Sequence, residues 1–477
     1  MTDGTQQVGI AGLGAYAPRF RLSADAVTDV WGQFHGAGVS TTAVPDADED
    51  ALTMAYEAGR RALSAAGIDA GAVTGLVLGT TTPPTEEGAV TPRLLSTLSL
   101  PESVSSRQLT GSTRAGVDAL VAARDLAADG PVLAVASDAP RGAPDDEIDH
   151  AGGAGAVGAV LAPDAPGAMT ATAEYSSPTP GTRFRPRGST ETTGLGVVAY
   201  DRSAFTEAVT AAVDALDVDP GTAGAVALQA PNGKLPYRAV GPLGVESEAI
   251  HRGTVVGDLG DLGAASAPFG LAAAVDDGAR DVLLVGYGSG GATAVFLSHD
   301  GITVETDGSG DGEPISYGEY LRLRGEITPG EPAGGGAYVS VPSWRRTIPQ
   351  RHRLIAGRCP DCGALAFPPE GACKDCGALA EYGTVALPGT GTIEAVTVIG
   401  QDGAPPEFVE QQSRSGAYAS AVVALDGPEG GTAAVPAQVV GTAPESVAIG
   451  DRVRATIRRV YTQEGVTRYG FKMRPAE

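Results

Sequence analysis

No cysteine occurs in residues 1–358; all four, Cys359, Cys362, Cys373 and Cys376, fall within one short stretch near the C-terminal end. A disulfide framework spread over the chain is therefore excluded, as is a thiolate nucleophile anywhere in the first three quarters. Lysine is scarcer still. Only Lys234, Lys374 and Lys472 occur, the other thirty basic residues being arginine, and the net charge is −24. Such a surface repels polyanions, so nucleic acid is not an expected partner. It suits concentrated salt, which screens self-repulsion, and a halophilic host is the expectation, although GC-rich coding also depletes lysine. No apolar run approaches the ~18 residues of a membrane span, so no membrane association is expected. The opening MTDGTQQVGIAGLG has no basic region before an apolar stretch, and a cytoplasmic location is expected.

What is present reads as globular: 477 residues, 42% hydrophobic and 19% charged, enough for two or three domains. Residues 1–300 alternate strand-like and helix-like stretches. VGIAGLGAYAP, GLVLGTTT, PVLAVASDAP and AGAVALQAP read as strands, and DVLLVGYGSGGATAVFLS as a strand pair. DEDALTMAYEAGRRALSAAG, AGVDALVAARDLAADG, DRSAFTEAVTAAVDALD and APFGLAAAVDDGA read as helices. This alternation predicts an α/β fold, a mixed sheet covered by helices. The expected organisation is two related halves over 1–165 and 166–325, then a connection over 326–350. Within the glycine- and acid-rich segment 301–345, TDGSGDGEP and TPGEPAGGG read as flexible connection.

The cysteines form two CxxC pairs ten residues apart, each followed by glycine (Gly363, Gly377). A CxxC turn folds two thiolates onto one ion, and two such turns complete a tetrahedral S₄ site with no position open for water. A structural Zn²⁺ over 351–380 is the expectation. Disulfides and a redox CxxC are the alternatives, poorly matched to a cytosolic chain and to a paired motif. Beyond it, GTGTIEAVTVIG, GAYASAVVAL, TAAVPAQVVG, DRVRATIRRVY and VTRYGFKM predict five strands and a small OB-type β-barrel over 381–477. That segment lacks the basic and aromatic surplus of a nucleic-acid binder.

RCPDCGALAFPP, CKDCG, GTGTIEAVTV and APESVAIGDRVRA resemble the zinc-ribbon/OB family that accompanies thiolases and related acyl-CoA enzymes. VGIAGLGAYAPRFRL, SDAPRGAPDDEIDHAGGAGAVGAVL, APNGKLPYRAVGPLG, APFGLAAAVD, VGYGSGG and ISYGEYLRLRGEI resemble the archaeal type of hydroxymethylglutaryl-CoA synthase. The resemblance implies a thiolase fold, a five-layer α-β-α-β-α sandwich of two pseudo-repeated halves. It also implies a homodimer, acyl-CoA as ligand, and a C-terminal module, rubredoxin-like ribbon plus barrel, that joins partner enzymes.

Where the family places its catalytic groups, this chain departs. The nucleophilic cysteine falls on Thr113, the histidine before PNGK on Gln229, the asparagine of the GN turn on Asp261, and the acid after GLVLG on Thr81. A covalent acyl-cysteine is impossible here. Ser112 and Thr113 have no histidine beside them in sequence to activate them. A binding scaffold survives: Arg19 and Arg21 stand where the family contacts coenzyme A, and Lys234 keeps its PNGK context. Gly288 and Gly290 could wrap a thioester by close backbone approach, or only pack the halves together. Two readings follow: a degenerate acyl-CoA-binding scaffold that recruits a thiolase or synthase, and a cysteine-independent acyl-CoA lyase with Tyr16, Tyr287, Asp261 or Glu86 as acid or base. Retained synthase activity in the mevalonate route is the reading least compatible with the missing thiol.

Overall fold

The computed structural model describes residues 7–327, 339–379, 381–400, 404–405 and 408–476. The chain divides into two compact units. One comprises residues 1–46, 50–95 and 100–320, and the other 47–49, 96–99 and 321–477.

The first unit contains β1 (Val8–Tyr16), β2 (Phe20–Ser23), β3 (Thr41–Val44), β4 (Gly75–Gly79), β5 (Ser105–Leu109), β6 (Val132–Asp138), β7 (Gly155–Pro163), β8 (Gly167–Ser176), β9 (Ala225–Leu228), β10 (Asp281–Gly288), β11 (Gly291–His299), β12 (Thr303–Asp307) and β13 (Glu313–Ile315). Its main helices are α1 (Ala51–Ala66), α2 (Ala115–Leu126), α3 (Val198–Asp214), α4 (Ser247–Gly253) and α5 (Ser266–Asp276). The ten-stranded sheet runs β5-β4-β6-β7-β1-β8-β11-β10-β9, with β12 added beside β1. Two residue pairs alone, Gly9–Ala168 and Ile10–Gly167, join the halves at β1–β8.

Layers follow from what each helix covers. α1 lies on β1 and β7; α2 and α5 touch each other between the half-sheets; α3 covers β8 and β11, and α4 covers β9. This is the five-layer arrangement. The inner helix α5 is apolar or small along nearly all its length because it is covered on most sides: it buries Pro268, Phe269, Leu271 and Val275 together with three alanines. α1 is capped by Asp50, whose carboxylate accepts from the Leu52 and Thr53 amides, and it ends at Gly67 in the left-handed region. Its close seat on β1 requires glycine, since a Cβ on Gly14 would come 2.3 Å from the Ala62 nitrogen.

TDGSGDGEP is not a free connection. Its ends belong to β12 and β13, parallel partners of β1 and β2. The Arg61 guanidinium anchors β12 by pairing with Glu57, 2.6 Å away, and with Asp307.

The second unit contains α6 (Val341–Arg353), β14 (Ile355–Arg358), β15 (Leu365–Ala366), β16 (Gly383–Ala386), β17 (Thr390–Ile399), β18 (Tyr418–Asp426), β19 (Thr432–Val439), β20 (Arg452–Gln463) and β21 (Val466–Pro475). β15-β14-β16 form the ribbon sheet, and β17-β18-β19-β21-β20 close into a barrel. All five strands expected for the barrel form. Of the expected connection over 326–350, residues 328–338 lie outside the described residues, and α6 begins at Val341. That helix packs on β21. Trp344 meets Tyr461 edge-on at 5.7 Å, with Arg351 and Arg468 over its ring at 4.3 and 5.0 Å. Proline and charge in SVPSWRRTIPQRHR hide an aromatic anchor.

Candidate functional site

The site forms where strand ends of both halves meet the N-termini of the inner helices. Thr113, just before α2, is buried, and its hydroxyl donates to the Tyr287 carbonyl at 2.7 Å. Gly288 packs against the same turn; a Cβ there would come 2.0 Å from Ser112 Oγ. That close approach is what glycine serves at this position, while Gly290, with φ +98°, makes the β10–β11 turn.

Gln229 follows β9 and is 1% exposed. Its side-chain amide donates to Asp261 Oδ1 at 3.3 Å. That oxygen also accepts from the Gly263 amide at 2.9 Å and from Ser266 Oγ at 3.1 Å. Asp261 Oδ2 pairs with Arg183 Nη1 at 2.6 Å, with both side chains largely buried. Thr81, after β4, donates through its amide and hydroxyl to Asp138, each at 2.7 Å. Asp138 is fully buried and also accepts from Thr80 Oγ1, the Thr82 amide and hydroxyl, and the Ala264 amide. Six donors around one carboxylate hold the β4 and β6 ends to the start of α5, at a cost in desolvation that the donors offset.

Thr113, Gln229, Asp261 and Thr81 are thus drawn into linked networks. Two participants escaped sequence reasoning. Asp138 could have been found as a charge ending the apolar strand PVLAVASD. Arg183 comes from the irregular segment after β8, where Arg185 also reaches back to the Thr81 carbonyl. No local pattern announces a guanidinium delivered across 78 residues.

Among the acid–base candidates, Tyr287 lies at the site with burial pushing its phenol up to about 12, so it stays protonated at neutral pH. Its ring meets Phe205 edge-on at 5.0 Å. Glu86 is exposed and accepts from the Gly188 amide. Tyr16 belongs elsewhere, clustered with Met54, Ala58, Ala154 and Ala156, with the Arg61 guanidinium over its ring.

The cationic candidates divide. Arg21 is 3% exposed and spends its guanidinium on the carbonyls of Pro18, Phe20, Gly308 and Gly310; burial lowers its pKa. The expectation of a coenzyme A contact there gives way to a loop clamp, because a guanidinium so enclosed offers nothing to a phosphate. Arg19 pairs with Asp46 and Glu313. Lys234 is exposed on a loop, and its backbone amide donates to Asn232 Oδ1.

In the ribbon, Cys359, Cys362, Cys373 and Cys376 place four sulfurs within 4.8 Å of one another, with Sγ separations of 3.7 Å for Cys359–Cys376 and 3.6 Å for Cys362–Cys373. A tetrahedral Zn²⁺ with Zn–S near 2.3 Å has edges of about 3.8 Å, so the cage fits the ion. Gly363 and Gly377, at φ +79° and +72°, donate to the Cys359 and Cys373 carbonyls and close each turn. No disulfide forms.

Comparison with known proteins agrees with this architecture. The ChsH2 rubredoxin-like zinc ribbon model matches residues 346–380, and the ChsH2 C-terminal OB-fold model matches 384–458. A hydroxymethylglutaryl-CoA synthase of Caldivirga maquilingensis is 30% identical over 304 residues, taking in 61% of this chain and 86% of that protein. The chain belongs to the hydroxymethylglutaryl-CoA synthase family. Its relative from Pyrobaculum arsenaticum is 29% identical over 345 residues, covering 67% of this chain and 98% of that synthase. A solved structure of MvaS in complex with 3-hydroxy-3-methylglutaryl coenzyme A superposes with a TM-score of 0.56 at 21% identity, over 70% of this chain and 94% of that one. Within this synthase family the chain is a thiolase-fold member that carries a zinc ribbon and OB barrel and has threonine where the nucleophile is expected.

Proposed function

We propose that the chain binds an acyl-CoA without taking the acyl group onto itself, and presents it as a scaffold to a thiolase or synthase recruited through the ribbon–barrel module. The observation that carries this is the commitment of Thr113, Thr81 and Asp261 to hydrogen bonds within the protein. The Thr113 proton is committed to the Tyr287 carbonyl, the Thr81 hydroxyl to Asp138, and the Asp261 oxygens to Gly263, Ser266, Gln229 and Arg183. A nucleophile needs an adjacent base, and the carboxylate nearest these groups, Asp261, is held by the Arg183 guanidinium and three neutral donors. Coenzyme A binding draws support from the ligand in the MvaS complex, and Arg19 and Lys234 are the cations we assign to its phosphates. The zinc is structural. A tethered module raises the effective concentration of a partner; a homodimer and a cytoplasmic setting complete the reading.

The test mixes purified protein with acetyl-CoA and acetoacetyl-CoA and follows free thiol release, beside calorimetric titration with each ester. Binding without thiol release is expected. Turnover would overturn the reading, as would absence of both ester binding and a co-purifying thiolase-type partner.

A carbon–carbon lyase reading draws on Tyr287, whose phenol, near Thr182, Asp201 and Tyr200, is kept protonated by burial and able to serve as an acid. Cleavage of a 3-hydroxyacyl-CoA to two carbonyl products, abolished by Tyr287→Phe, would replace the scaffold reading.

A further inference from the structure

The segment between β8 and α3 folds back on itself and is tied to the site by polar bonds. Its base closes where the Leu195 amide donates to the Gly181 carbonyl at 2.9 Å, and Phe184 and Thr193 exchange backbone bonds further along. The run is extended there, so Arg183 and Arg185 share one face and Phe184 takes the other. The usual amphipathic sense is inverted. Arg183 reaches Asp261 at 2.6 Å and Arg185 the Thr81 carbonyl, while Phe184 and Leu195 stay exposed. Thr182 Oγ1 adds a bond to Ser289 Oγ at 3.0 Å, and the Gly188 amide one to Glu86 at 3.1 Å. None of the segment's apolar side chains is buried between residues 182 and 199. Gly181 and Gly196, at φ +87° and +65°, stand at its two ends.

We propose that residues 181–196 form a gate over the site, latched by the Arg183–Asp261 pair, which must open before an acyl-CoA ester reaches Thr113. The proposal rests on the acyl-CoA-binding reading above and names what regulates that site. An element that sinks no apolar side chain into a core opens locally, at a cost well below global unfolding. Here the ion pair sets that cost. Its side chains are 14% and 2% exposed, and opening strands the Asp261 charge with neutral donors alone. Arg185 gives up only a backbone carbonyl, which water replaces. The glycines at the two ends absorb the change in backbone angles. The gate therefore rests shut, and an ester is admitted only as often as the latch parts.

The experiment measures amide hydrogen exchange on the full-length, zinc-loaded protein, beside stopped-flow association of a butyryl-CoA carrying a fluorescent adenine. Amides of residues 184–195 should exchange at least about a hundredfold faster than those of β10 and α5, yet slower than in an unstructured peptide. Exchange as slow as in β10, or as fast as in the peptide, overturns the gate. The double variant Arg183→Gln with Asp261→Asn sets two neutral amides in place of the pair and strands no charge. Its segment should exchange about tenfold faster again, with β10 and α5 unchanged, and the ester should associate faster by a similar factor, from the loss of one charge-assisted bond. Unchanged association in the folded double variant overturns the proposal. Should that variant fail to fold, the wild-type exchange decides alone. Failure of the ester to bind overturns the acyl-CoA reading, and the exchange measurement still judges the latch.

Discussion

At the scale of single residues, threonine, glutamine and aspartate stand at Thr113, Gln229 and Asp261, where the resemblance implies cysteine, histidine and asparagine. Reinstating one of them should not reinstate the reaction. Thr113→Cys is expected to give a thiol that alkylates slowly and releases no coenzyme A from acetyl-CoA, because Gln229 is no base and Asp261 is occupied. Iodoacetamide labelling and thiol release on the same sample check this. Removing Arg183 tests the charge pair. Arg183→Ala leaves Asp261 buried with its neutral donors only and should cost about 3–5 kcal/mol, read as a shift in the urea midpoint. His150 offers a pH test. Its ring is buried between Phe34 and His35, and its Nδ1 accepts from the His35 amide at 2.9 Å. Burial lowers its pKa; Asp149 opposes the shift, His35 adds to it, and Asp145 and Asp146 oppose it. Because the folded value lies below the unfolded one, the unfolded chain takes up the proton first. The stabilisation is complete at higher pH and is lost as pH falls below about 6.5. Melting temperatures between pH 7.5 and 5.5 should fall less in His150→Asn, which keeps the acceptor, than in the wild type.

Elements were legible in proportion to how local their causes are. β10 and β11, α1 and α5, and all five barrel strands follow from apolar period and turn residues, and the zinc cage follows from cysteine spacing alone. What escaped was set by partners distant in sequence. β12 pairs beside β1, and α6 is held by Trp344 on Tyr461 despite Pro349 inside it. The same limit applied at the site. Thr113, Gln229 and Asp261 were placed from motif context, whereas Asp138 and Arg183 gain meaning only when separate strand ends and an irregular segment converge. Arg21 misled for a related reason: sequence reveals a cation but not the carbonyls that enclose it. Two outcomes belong here. Trp344→Ala should destabilise the second unit by about 3 kcal/mol while leaving the cysteine cage metal-loaded, measured by chemical unfolding beside zinc content. Chelation should expose four reactive thiols and unfold the ribbon, since a structural zinc site supplies its own folding energy.

For the whole molecule, a charge of −24 is the dominant electrostatic fact. Self-repulsion among exposed carboxylates weakens as the screening length shrinks, to about 3 Å in molar salt. The melting temperature is expected to rise from low to molar KCl, and equal values would remove the case for a salt-adapted surface. The two units join one synthase-family scaffold to one metal-bearing module in a single chain. The two are therefore present in fixed one-to-one stoichiometry, each at a high effective concentration for the other.

The confinement of all cysteines to the ribbon has a practical consequence. With those four sulfurs ligated, the remainder of the chain is blank to thiol reagents. A single cysteine placed at an exposed position of the first unit, such as Glu248 in α4, would carry a fluorophore or spin label without any native cysteine having to be removed. Such a label would report ester binding and partner arrival in a protein otherwise unaltered.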